Sequence, residues 1–146
     1  MDFINRVIHA LTELHPLHPM FVHFPIGLTG AAFLFILLAW WRRSRLLEQA
    51  AFANISLAVV ATLVAGVTGY LDNQKNYAGD APNAGVKIVL ASLLLILTTA
   101  LAVARWRNPD LFEGRWSKAL FIFGYGLSFG LAFVLAFLGG IILYGF

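Results

Sequence analysis

The sequence predicts an all-α integral membrane protein: an antiparallel four-helix bundle preceded by an amphipathic helix in the membrane interface. The first supporting observation is composition, since 60% of the 146 residues are hydrophobic and 12% are charged, against about 25% charged in soluble domains. The second is a set of four apolar runs, each of the length, about 17–25 residues, that a spanning helix needs. This composition excludes a soluble enzyme and a disordered chain. The absence of cysteine excludes disulfides and thiolate metal centres built from this chain.

The predicted spans form one membrane domain over residues 1–146. Neighbouring spans are joined by short segments, which predicts antiparallel packing. Ahead of the first span, residues 1–14 place apolar side chains on one helical face and polar ones on the other. This pattern predicts a helix in the interface plane, serving either as an anchor or as a docking face for a partner protein. The four spans are residues 20–41, 50–71, 88–104 and 119–144.

The basic residues predict the orientation of the spans. Seven of the ten lysines and arginines lie in the turns after the first and third spans, and all four tryptophans flank the same turns. Positively charged loops remain in the cytoplasm, so both chain termini are expected outside. The loop charges are therefore assigned to topology and to anionic lipids, with no role for nucleic acid. The seven basic residues of the two turns are Arg42, Arg43, Arg45, Arg105, Arg107, Arg115 and Lys118.

Small residues recur at four-residue spacing in three spans. Close packing of small side chains brings helices together in lipid, so the pattern predicts contacts inside the bundle, with dimerisation as the alternative. The sets are Ala61, Ala65 and Gly69, then Gly126 and Gly130, then Gly27 and Ala31.

Three histidines and three prolines lie in eleven residues at the start of the first span. Pro19 suits a first helical turn, which places His18 at the N-cap and His23 about one turn deeper. An ionisable side chain within a span is a functional-site hypothesis. Imidazole ligates metals and haem, so His15, His18 and His23 are the candidate metal ligands, with haem or copper as the candidate cofactor. His18 and His23 lie about 140° apart on an ideal helix, so the two rings share a face only if the kink at Pro25 turns them toward each other.

Two alternatives remain for the histidines. In the favoured one, no cofactor binds: His15 and His18 cap and anchor the helix, while His23 bonds to another helix. In the other, the histidines form a quinone or proton-handling site. His23 is expected to find its partner in Asp72, Thr68, the carbonyl of Phe21 or a bound cofactor, because an unpaired buried polar group costs roughly 1–3 kcal/mol.

Asp72 closes the second span at the same end of the bundle as the histidines. A hydrogen bond from an imidazole to this carboxylate would fix the ring tautomer and raise its basicity as a ligand. His18, His23 and Asp72 therefore form the candidate cofactor-binding set. The alternative for Asp72 is an ordinary helix end in water.

The motifs His-Pro-Leu-His-Pro-Met-Phe-Val-His-Phe-Pro-Ile and Thr-Gly-Tyr-Leu-Asp resemble those of the membrane protein family DUF2231. The resemblance implies a four-span protein of the bacterial inner membrane. It also implies a tie to electron transfer, because such domains accompany cytochrome or Rieske modules in longer chains. Family members often have a further histidine at the start of the third span, where residues 82–87 contain none. The implied motif positions are His15, His18, His23, Pro25, Thr68, Gly69 and Asp72.

Three functional hypotheses follow. The preferred one is a non-catalytic accessory subunit of a larger electron-transfer complex, respiratory or photosynthetic. Its partners would be the lipid bilayer and other membrane proteins or a second copy of the chain. The alternative is a haem- or metal-binding redox protein that uses the histidines, and a small transporter ranks third. The sequence has no nucleophile–base pair or phosphate-binding loop, so an enzyme is not favoured.

Overall fold

The computed structural model describes residues 3–5 and 17–144, and no strand occurs among them. Residues 17–144 form four helices, each long and apolar enough to cross a membrane. The predicted all-α bundle is therefore confirmed. Apart from the helical residues 3–5, the expected interfacial helix lies outside the described residues, as does His15. The helices are α1 (Leu17–Arg42), α2 (Arg45–Tyr77), α3 (Ala84–Arg107) and α4 (Arg115–Tyr144).

Each helix extends beyond the apolar run from which its span was predicted, and α2 extends furthest. It begins at Arg45, where the Ser44 hydroxyl accepts a hydrogen bond from the backbone N–H of Leu47 at 3.5 Å. It continues to Tyr77, and the C-cap residue that follows, Ala78, has left-handed backbone angles. Hydropathy marks only the part of a helix that matches the hydrocarbon core, whereas backbone hydrogen bonding continues into the polar ends.

The four helices form a ring in which α1 packs against α2 and α4, and α3 packs against the same two helices. Short connections make neighbours antiparallel. At the basic end, the turn at residues 43–44 lies beside the loop 108–114, as an ion pair between Arg45 and Glu113 shows. The histidine end carries the start of α1 and the loop 78–83.

Large and small side chains alternate in the bundle core. Phe33 of α1 stacks on Phe129 of α4 with ring centroids 6.3 Å apart. Gly126 leaves room for Phe33, and Gly30 leaves room for Phe129, because an added Cβ at either glycine would lie 3.1 Å from a ring carbon. The expectation that small residues bring helices together thus holds at Gly126. Gly27, in contrast, has no heavy atom within 4 Å of an added Cβ.

Each helix buries one serine or threonine side chain: Thr29, Thr62, Thr98 and Ser128. Each donates a hydrogen bond to the carbonyl four residues earlier in its own helix, at 2.7–2.9 Å. Lipid offers no partners for polar groups, so this local bonding lets a hydroxyl lie in the core without a cross-helix partner.

The outer surface of the bundle is apolar over most of the length of the helices, with many exposed leucine, valine and phenylalanine side chains. All four tryptophans are exposed at the basic end: Trp40, Trp41, Trp106 and Trp116. Tryptophan is enriched at membrane–water interfaces. Together with the four apolar helices, this surface is that of a small integral membrane protein.

Candidate functional site

His18 lies in the first turn of the described part of α1, and its imidazole packs against α2. Its Nδ1 lies 3.1 Å from the carbonyl oxygen of Ala65. A carbonyl can only accept a hydrogen bond, so Nδ1 carries the proton and donates it. The sequence placed His18 at the N-cap, but the residue lies inside the helix, which begins at Leu17. The ring therefore points sideways to the neighbouring helix.

Gly69 provides the space that the His18 ring fills. A Cβ at position 69 would lie 2.7 Å from Cε1 of the imidazole and 3.0 Å from Nδ1. The first distance is shorter than any normal van der Waals contact, so a side chain at this position would collide with the ring. The adjacent Thr68 hydroxyl donates to the carbonyls of Val64 and Ala65, at 2.9 and 3.1 Å. The histidine motif of α1 and the Thr-Gly motif of α2 are thus in direct contact through Gly69 and the Ala65 carbonyl.

Asp72 and Lys87 are the charged side chains that act electrostatically on His18. Asp72 is on α2 and Lys87 on α3. The expected hydrogen bond from an imidazole to Asp72 is formed by neither His18 nor His23. Nδ1 of His18 bonds to Ala65, and the Asp72 carboxylate accepts from the side-chain amide of Asn76. His18 bonds to the Ala65 carbonyl rather than to Asp72 because Gly69 lets the ring reach the α2 backbone directly.

His23 faces away from the bundle, and its side chain is exposed. Its Nδ1 donates to the carbonyl of Pro19 at 2.5 Å. None of the three protein partners expected from the sequence accepts this bond, because the acceptor is a different carbonyl of the same helix, one turn earlier. Met20, Phe24 and Gly27 are also exposed on this side of α1. These three residues and His23, spaced for one helical face, are termed the α1 face.

The described residues fit a single imidazole ligand rather than a shared histidine site. In His18 and His23 alike, Nδ1 is a donor, so each Nε2 has a free lone pair. The rings, however, point in different directions, one onto α2 and the other out of the bundle. Within the residues that the structure describes, no three histidine, aspartate or glutamate side chains form a metal-binding group. His15, the third predicted ligand, lies outside those residues.

A buried ion pair near the basic end was not predicted from the sequence. Nη2 of Arg105 on α3 lies 2.8 Å from Oε1 of Glu48 on α2, with side chains 11% and 5% exposed. Arg105 was assigned to membrane topology because of its position after an apolar run. The available signal was the spacing of Glu48 with Ala51 and Ile55, which places the carboxylate on the buried face of α2.

A family model described as a predicted membrane protein (DUF2231) matches residues 14–146. No curated protein and no solved structure matches the chain.

Proposed function

Because the chain belongs to the membrane protein family DUF2231, we propose that it is a non-catalytic accessory subunit that docks on a larger membrane complex through the α1 face. The complex is one of electron transfer, as the resemblance of the two motifs implies. The protein lies in the bacterial inner membrane with its histidine end outside. The observation that carries the docking hypothesis is the outward position of His23.

An exposed imidazole is unfavourable in contact with lipid. His23 lies about 9 Å along α1 from Leu17 (six residues at about 1.5 Å each), close enough to the helix end to meet the outer interface and the acyl chains below it. Ionisable side chains in spans almost always face protein or water-filled space. The free Nε2 of His23 therefore suits a hydrogen-bond donor supplied by another protein. A helix of a partner subunit fits this position.

Gly27 supports the same hypothesis because it lets a second helix approach closely. It lies one turn beyond His23, is exposed, and has no heavy atom within 4 Å of an added Cβ. Helix pairs in membranes use such small residues for close backbone contact. A polar group beside an open glycine is a combination suited to a protein interface.

We expect His23→Ala and Gly27→Leu each to reduce partner recovery at least about tenfold, equivalent to about 1.4 kcal/mol. The first removes the hydrogen-bonding ring and the second blocks close approach. The measurement is quantitative mass spectrometry of proteins that co-purify with a tagged chain from native membranes. Gly66→Leu is the matched control, because Gly66 on α2 is also exposed and open. Unchanged recovery with both α1 variants would contradict the proposal.

A redox cofactor at His18 is the second candidate function, favoured by the geometry of its ring. The Ala65 carbonyl holds the Nδ1 proton, which leaves Nε2 as the ligating atom, the arrangement common in metal-binding histidines. Haem or copper bound there would supply one-electron transfer. The same purified sample decides this candidate: a Soret band or stoichiometric copper lost in His18→Ala but kept in His23→Ala supports it. A colourless, metal-free preparation contradicts it.

A further inference from the structure

An open cavity of about 670 Å³ lies at the basic end. It is formed where the end of α1, the start of α2, the loop 108–114 and the start of α4 come together. Its volume is within the range of about 300–1,000 Å³ that small-molecule sites occupy. The residues that matter for its chemistry are Trp40, Trp41, Arg43, Ser44, Phe112 and Lys118.

The acidic side chains that line this cavity are already paired. Glu48 forms the ion pair with Arg105 at 2.8 Å. Glu113 accepts a hydrogen bond from the guanidinium of Arg45, which also lies 3.9 Å from Asp110. These pairs neutralise both carboxylates of the lining. The charge that remains at the cavity is therefore positive.

Arg43 and Lys118 supply the remaining positive charge. Within the described part of the chain, neither forms an ion pair with a carboxylate. Arg43 is exposed and occupies the α1–α2 turn with φ of 52°. The Lys118 ammonium lies over the ring of Phe112, 5.1 Å from its centroid. Two cations thus border one cavity, each with capacity to bind an anion.

Two further features of this cavity favour an anionic ligand at the level of the lipid headgroups. Helix α2 starts at the cavity wall with Ser44 as its N-cap, and the N-terminal end of a helix favours negative charge. Trp40 and Trp41 also line the cavity and are 58% and 73% exposed. Tryptophans at such positions lie at the level of lipid headgroups, so the cavity opens where headgroups are present.

We propose that this cavity binds the phosphate of an anionic phospholipid headgroup, held by Arg43 and Lys118, with Trp40 and Trp41 against the start of the acyl chains. Basic pockets beside membrane helices on the cytoplasmic side bind such headgroups. The proposal does not depend on docking through the α1 face, because the two sites lie at opposite ends of the bundle.

The test is a titration of the purified chain in detergent with phosphatidylglycerol, cardiolipin or phosphatidylcholine. Native mass spectrometry measures the fraction of the protein that carries bound lipid at each concentration. We expect both anionic lipids to bind at least about tenfold more tightly than phosphatidylcholine. Each cation contributes about fivefold in affinity, so Arg43→Asn with Lys118→Gln lowers anionic-lipid affinity about 25-fold. Asparagine is chosen because it tolerates the left-handed backbone of position 43. Lys118→Gln is also measured alone, in case the double variant does not fold.

Arg107→Gln is the matched control, since Arg107 is exposed at the same end and does not line the cavity. It should change affinity less than about twofold. An equal loss with Arg107→Gln, or equal binding of phosphatidylcholine, would overturn the proposal. Tighter binding of inorganic phosphate than of phosphatidylglycerol would also overturn it, because the cavity would then be a site for free phosphate.

Discussion

Replacing Glu48 with glutamine is expected to lower the free energy of unfolding by about 3–5 kcal/mol. The change removes the carboxylate that lies 2.8 Å from Arg105 and leaves a buried guanidinium without its counter-charge. The pair lies at the buried core, where Tyr125 is only 1% exposed, so the unpaired charge would lie among buried groups. The measurement is unfolding of the purified protein in detergent micelles.

Glu113→Gln is the control for this prediction. It makes the same chemical change in an ion pair with Arg45, whose side chains are 57% and 62% exposed. Exposed pairs contribute no more than about 1 kcal/mol, so this variant should unfold close to the wild type. Replacing both Glu48 and Arg105 with leucine should restore much of the loss, because apolar side chains tolerate burial. Equal stability of Glu48→Gln and Glu113→Gln would show that the buried pair is not a major contributor.

Replacing Gly69 with alanine is expected to destabilise the bundle by about 1–3 kcal/mol, the usual effect of overpacking. The new methyl group would lie 2.7 Å from Cε1 of His18. The ring would have to move, and its hydrogen bond to the Ala65 carbonyl would be lost. Unfolding in detergent measures the change.

Gly66→Ala provides the comparison, because Gly66 lies on the same helix and its added Cβ meets no heavy atom within 4 Å. Alanine there should stabilise α2 by up to about 1 kcal/mol through helix propensity. The two substitutions are thus expected to have opposite signs. Adding His18→Ala to Gly69→Ala should relieve the steric conflict. Equal effects at positions 66 and 69 would contradict the packing of His18 on α2.

The helices and the tryptophan-rich end could be predicted from sequence because both depend on local composition. Apolar runs long enough to cross a bilayer must be helical, and the short connections leave little freedom in topology. The sequence predicted that the histidines and the Thr-Gly-x-x-Asp segment share one end of the bundle, with an imidazole bonded to Asp72, whereas His18 bonds to the Ala65 carbonyl. This bond depends on Gly69, whose missing side chain lets the ring reach the Ala65 carbonyl.

The side-chain partners could not be predicted because they depend on the rotation of each helix. The favoured interpretation of the sequence had His23 bonded to another helix, yet its Nδ1 donates to the carbonyl of Pro19, one turn earlier on α1. Glu48 and Arg105 belong to different helices and are far apart in sequence. Pattern analysis along one helix places Glu48 on the buried face of α2 but cannot identify the opposite charge. Only packing of α2 against α3 brings the two together.

The orientation that we propose for the bundle is the central claim, because with it the histidine end faces outside and the proposed lipid-binding cavity opens at the cytoplasmic interface. The chain contains no cysteine, so single cysteines can be introduced and labelled with a membrane-impermeant maleimide. The loop position Asp80 and the α3 terminus at Arg107 are both exposed. We predict that Asp80→Cys is labelled in spheroplasts, where only the outer face of the inner membrane is accessible, and that Arg107→Cys is labelled only after the membrane is permeabilised. Labelling of Arg107→Cys but not Asp80→Cys in spheroplasts would contradict the account.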